Sequence, residues 1–111
     1  MVDLHEKWLN QTLTEGDIKE WLRKQGHIKF LLEKEALSEK DLDHVAMCMH
    51  HIYLWYWKEQ PLGHFLTAVV KNDFMEACGS ADSTNKLVLP MYATFLYNIA
   101  PIDYRVKAKH L

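Results

Sequence analysis

The sequence predicts an all-α protein, a compact bundle of four or five helices joined by short loops. Three observations carry this expectation. Apolar residues recur at spacings of three and four along most of the chain. Period-two alternation and Asn-Gly or Asp-Gly hairpin signals are absent. Ser, Thr and Asp stand where helices should begin, and Gly or Pro where they should end.

Residues 1–13 read as a short N-terminal arm in which Leu4 and Trp8, four apart, favour a first helical turn. Thr14 with Asp17 resembles a capping box and opens a helix from about Glu15 to Gln25, with Ile18, Trp21 and Leu22 on one face. Gly26 is its expected stop. His27 to Ala36 places Ile28, Leu31, Leu32 and Ala36 at helical spacing. Ser38 and Asp41 open a long helix reaching about Gln60, where Pro61 and Gly63 end it. The next helix spans about His64 to Cys78, with Gly79 expected to close it in a left-handed conformation. Asp82 and Asn85 open the last helix, which Pro101 halts; Pro90 inside it predicts a kink or a restart. Residues 103–111 read as a flexible basic tail.

A length of 111 residues fits a single helical domain with its own core. The net charge of −2 argues against a general nucleic-acid binder, which needs a clustered basic face. Lys19, Arg23, Lys24 and Lys29 are interrupted by Glu15, Asp17 and Glu20, the pattern of a solvated helix face. No apolar run approaches a membrane span, and the first fifteen residues lack the apolar block of a secretory leader. Cys48 and Cys78 belong to neither a CxxC pair nor a zinc-ribbon spacing, which fits free thiols in a cytoplasm.

On the long helix, Leu42, Val45, Met49, Ile52 and Tyr56 form a core stripe. His44, Cys48 and His51 share a neighbouring stripe and are the candidate metal ligands. A fourth ligand, His64 or Asp73, would have to come from another helix and no classical zinc spacing is present, so packing is the stronger reading and no metal or other cofactor is expected. Tyr53, Trp55, Tyr56 and Trp57 ring the helix on every side. A small bundle has trouble burying all four, so they are the expected contact surface for a homo-oligomer or a target. Asp73 falls among Leu66, Val69, Val70 and Ala77 on one face of the following helix. Asn72 and Asp73 therefore read as a polar pin or the edge of a pocket, since a buried carboxylate must find donors.

The stretch PLGHFLTAVVKND, from Pro61 to Asp73, is followed by Ala81-Asp82, Asn85, and Leu96-Tyr97-Asn98-Ile99-Ala100-Pro101. This segment resembles a family of small accessory proteins of tailed bacteriophages and prophages. The family's pattern is Pro-x-Gly-x-Phe-Leu-x-Ala-Val-x-x-Asn-Asp, then Ala-Asp, then an apolar helix ending Tyr-Asn-x-Ala-Pro. The family often continues Trp-Gly-Ser-Pro, whereas this chain has Ile102-Asp103-Tyr104-Arg105. The resemblance implies a setting, not a chemistry: a non-enzymatic binding protein in the bacterial host cytoplasm. Its expected work is counter-defence, done by occupying a host protein or complex. The rival expectation is an oligomer that sequesters a small nucleotide signal, with Arg23, Lys24 and Arg105 as candidate phosphate contacts. A metal-dependent hydrolase using His44, His51 and Asp73 ranks last, because phosphate loops, nucleophile elbows and HExxH are all missing.

Overall fold

The computed structural model describes residues 3–111, and among them nine α-helices. These are α1 (Leu4–Leu9), α2 (Glu15–Arg23), α3 (Gly26–Glu33), α4 (Glu39–Lys58), α5 (His64–Val70), α6 (Phe74–Ser80), α7 (Ser83–Leu87), α8 (Leu89–Asn98) and α9 (Tyr104–Ala108). The extents, 39 × 36 × 19 Å, describe a slab about two helix diameters thick. α4 is its spine: α2, α5 and α7 all pack on it. Leu42, Val45, Met49 and Ile52 of its predicted stripe are fully buried, with Ile18 and Leu22 of α2 and Ile28 of α3.

The helix starts follow the chemistry of their first residues. Thr14 and Asp17, and Ser38 and Asp41, form complete capping boxes. Asp82 accepts the Asn85 backbone N–H at 2.7 Å and caps α7. Pro90 sits in the first turn of α8, where its missing N–H has no helical partner to lose. The expected last helix is thus two, restarted at Val88.

The proline-marked stops hold, α4 ending at Lys58 before Pro61 and α8 at Asn98 before Pro101, but the glycine stops depart from expectation. All left-handed residues among those described are non-glycine: Gln11, Glu35, Glu59 and Asn72, each at φ 58°. Gln11, Glu35 and Asn72 close α1, α3 and α5 in the same way. In each, the left-handed residue's N–H and the next one reach back to two carbonyls of the last turn, as in Glu35 to Leu32 at 3.1 Å and Ala36 to Leu31 at 3.0 Å. Gly26 and Gly79, expected as stops, lie inside α3 and α6 instead. A left-handed side chain costs about 1 kcal/mol, which glycine does not incur. Glu35→Gly is therefore expected to raise stability by about 0.5–1 kcal/mol, read as a higher Tm. Asn72→Gly should change it little, because Asn tolerates this conformation.

The arm and the tail are both structural. Trp8 of α1 is fully buried and meets Tyr53, Tyr56 and Phe95 edge-on or tilted at 5.3, 5.5 and 5.8 Å between ring centres. The Trp57 indole N–H donates to the Trp8 carbonyl at 2.9 Å. Residues 103–111, expected to be flexible, contain α9, whose Tyr104 and Ala108 are buried. Lys107 of α9 donates to the carbonyls of Trp55 and Tyr56 at 2.8 and 2.9 Å and lies over the Trp55 ring. Tyr56 donates its hydroxyl to Asp103 at 2.7 Å. Burial, reinforced by the Asp103 carboxylate, pushes the Tyr56 phenol up to about 12.

The aromatic ring on α4 is thus covered by its own chain. Tyr53 is 5% exposed and Trp55 3%, and Tyr56 and Trp57 are half-buried against the core. Tyr53 and Trp55 therefore cannot present the contact surface expected of all four, while Tyr56 and Trp57 keep part of theirs and line, with Trp55, Asp103, Val106 and Lys107, a second open concavity. Two short helices supply the cover: α1, whose first turn the Leu4–Trp8 spacing signals, and α9, which the sequence reads as a flexible tail.

Candidate functional site

Asn72 and Asp73, expected inside one helix, divide it into two. Asn72 takes the left-handed stop of α5, and Asp73 caps α6 by accepting the Glu76 N–H at 3.2 Å. Both are exposed, so Asp73 is not a buried pin. The division turns α6 away from the line of α5. α6 buries only Ala77 and leaves Phe74 72% and Met75 80% exposed.

This turn opens a groove of about 700 Å³ between α5 and α6 on one side and α8 and α9 on the other. Its emptiness has a simple origin: each of the four helices lines it with an alanine, Ala68, Ala77, Ala93 and Ala108. Short side chains at facing positions leave space that larger ones would fill. Leu96 and Val70 add to the apolar lining, and Phe74 and Tyr97 stand at its lips, Tyr97 being 77% exposed. Asn72 and Asp73 are both among its lining residues.

The charge of the lining is one-sided. Lys71, Arg105 and Lys109 are basic, and Asp73 is the carboxylate among the lining residues. Arg105 and Lys109 form no ion pair among the described residues. The Lys109 N–H reaches the Arg105 carbonyl, so the two lie one helical turn apart on α9. The Arg105 guanidinium lies 5.9 Å from the centre of the Tyr104 ring. The hydroxyls of Tyr104 and, less strongly, Tyr97 raise its pKa above the ordinary arginine value.

The other basic candidates lie elsewhere. Arg23 pairs with Glu39 and Glu20 across α2 and the start of α4, and Lys24 is exposed at the end of α2. Neither lines the groove, so the expected phosphate set of Arg23, Lys24 and Arg105 does not assemble. Sequence reading also missed Lys109, Phe74 and Tyr97; the helical spacing of Arg105 and Lys109 was legible, but α9 itself was not foreseen.

A second polar cluster lies where α4 meets α7. His44 bonds Asp82 through Nε2 at 2.8 Å, and Cys48 Sγ lies 3.8 Å from the same nitrogen. Asn85, buried, accepts the Tyr92 hydroxyl at 2.7 Å and points its amide at Cys48. Burial alone would raise the Asp82 carboxyl, but the Asn85 N–H and His44 bring it below the usual value. Burial pushes the Cys48 thiol up, away from the thiolate a nucleophile needs. One imidazole nitrogen cannot both be held by Asp82 and take the thiol proton, so the cluster pins α7 to α4 rather than forming a nucleophile and base.

His51 is exposed and outside this cluster, and Asp73 serves α6, so the proposed zinc and hydrolase sets do not converge. Among the described residues no group of three or more His, Cys, Asp or Glu gathers as a metal shell would. His64 bonds Glu76, and the Ser80 hydroxyl donates to the same carboxylate at 3.0 Å rather than to the imidazole. Histidine is used here mainly as a tie: His5, His27 and His50 bond the backbone carbonyls of Ile99, Leu87 and Leu13. No helix among the described residues is long and apolar enough to cross a membrane.

No family model, curated protein or solved structure matches this chain.

Proposed function

We propose that this chain is a non-enzymatic binding protein of the phage accessory type, acting in the host cytoplasm by occupying a host protein or complex that serves defence. The observation that supports it is the groove between α5–α6 and α8–α9, an apolar concavity that the chain leaves unfilled and that opens beside exposed Phe74 and Tyr97. Most of its lining falls within residues 61–101, the segment that carries the phage resemblance; Tyr104, Arg105, Ala108 and Lys109 complete it. The groove holds no nucleophile paired with a base.

The test places a photo-crosslinking phenylalanine analogue at Tyr97, on the groove lip, or at Phe30, exposed on α3 outside the groove lining. Each variant is expressed in a bacterial host, and the adduct identified by mass spectrometry is then purified and titrated by calorimetry. A discrete adduct at position 97 and none at 30 is the expected result. Binding of the purified partner should weaken at least about tenfold in Ala93→Trp, which fills the groove from an exposed position. No adduct at 97, or the same adducts at both positions, overturns the reading.

A second reading has its own support in Arg105, set beside Tyr104 with Tyr97 at the same lip. A guanidinium near one exposed ring, Tyr97, suits a small nucleotide signal, held by phosphate and stacking. It is tested by thermal stabilisation with ADP-ribose and cyclic dinucleotides, lost in Arg105→Ala.

A further inference from the structure

We infer that the occupant of the groove is an acidic amphipathic helix of a protein partner, apolar stripe on the alanine floor and carboxylates against Arg105 and Lys109; this rests on the groove being the binding surface. Charge complementarity is the first reason. Two cations without carboxylate partners among the described residues stand one turn apart, Arg105 on α9 and Lys109 at its end, and Lys71, whose ammonium donates to the Leu111 carbonyl, adds to the positive lining. Their backbone separation along the helix is about 6 Å. Carboxylates four residues apart on a second helix have the same spacing, so two ion pairs form in register.

The floor gives the second reason. Ala68, Ala77, Ala93 and Ala108 offer no hydrogen bonds, and the Tyr92 hydroxyl in the wall is committed to Asn85. A nucleobase needs partners for its polar edge, and few remain deep in the groove; a helix hides its own backbone bonds and presents apolar side chains at i, i+3, i+4 and i+7. Small floor residues let a helix approach closely. Phe74 and Tyr97, exposed on opposite lips, are placed to close over its sides and are of the residue types that anchor interfaces.

The experiment uses the intact protein and synthetic peptides. One fluorescein-labelled helix of roughly 16 residues, long enough to hold helicity with Ala at its free positions, carries leucines at helical spacing and two Glu pairs four apart. A second carries Lys for every Glu. Anisotropy titrations are run with wild type and with Arg105→Glu/Lys109→Glu, whose far-ultraviolet circular dichroism checks the fold. Both substituted residues are exposed. The expected result is saturable binding of the Glu peptide alone, weakened by salt, lost at least about tenfold in the double variant, with the Lys peptide gained in its place. Equal binding of both peptides, no saturable binding of the Glu peptide, or ADP-ribose raising the Tm while the Glu peptide fails to bind overturns the inference. Failure here with a Tyr97-specific adduct in cells removes the acidic helix and leaves the binding reading standing. Failure in both experiments removes both.

Discussion

Trp8→Ala is expected to lower the unfolding free energy by about 3–5 kcal/mol, a large share of what a domain of this size possesses. Trp8 is fully buried and touches the rings of Tyr53, Tyr56 and Phe95, so it joins α1, α4 and α8 at one point. Removing it opens a cavity among three helices that cannot all close in. It also loosens Trp57, whose indole bonds the Trp8 carbonyl. Urea titration followed by circular dichroism measures the effect, with the midpoint shifted and the slope unchanged. Trp8→Phe should cost much less, about 1–2 kcal/mol, because most of the ring contact stays. The indole N–H of Trp8 is buried without an acceptor, so its loss offsets part of the smaller ring. Equal losses in the two variants would show that Trp8 does not act through its packing.

Lys107→Met ranks second, at about 1–3 kcal/mol. The last four carbonyls of α4 have no partner within the helix. Lys107 supplies donors to two of them, Trp55 and Tyr56, and its ammonium also meets Glu59. Methionine keeps the stem that covers Trp55 and removes only the donors. The expected signature is a lower urea midpoint together with a red shift of tryptophan emission as α9 loosens. Arg105 and Lys109 ride on α9, so affinity for an acidic partner should fall in the same variant. A variant that loses affinity without loss of stability would place Lys107 in the contact rather than beneath it.

The earlier expectation for Trp55 and Trp57 reverses on this ground. Both are held by the chain's own helices, so replacing them with Ala should unfold the domain rather than strip a contact surface from an intact one.

Residues with one dominant local role are legible in the sequence. Thr14, Ser38 and Asp82 accept N–H groups three residues on, and such bonds need no knowledge of the rest of the fold. The stripe of Leu42, Val45, Met49 and Ile52 likewise announces its burial through spacing. The stops were less legible, because Gln11, Glu35 and Glu59 adopt the left-handed conformation against their intrinsic preference. Asn72 followed by Asp73 did carry a signal, a tolerated left-handed residue next to a good N-cap. It was hidden by apolar spacing that runs unbroken from Leu66 to Ala77.

By itself, then, the sequence determined the helical class, the starts of α2, α4 and α7, and the buried face of α4. Each follows from contacts within one turn or from a repeat along one helix. Tertiary structure alone decided that α1 and α9 cover the aromatic ring, and that alanines from four separate helices meet to leave a groove beside Arg105 and Lys109. Whether a ring is covered or a cavity opens depends on which distant segments arrive at the same place. Periodicity along a chain says which face turns inward, but not what it will meet there.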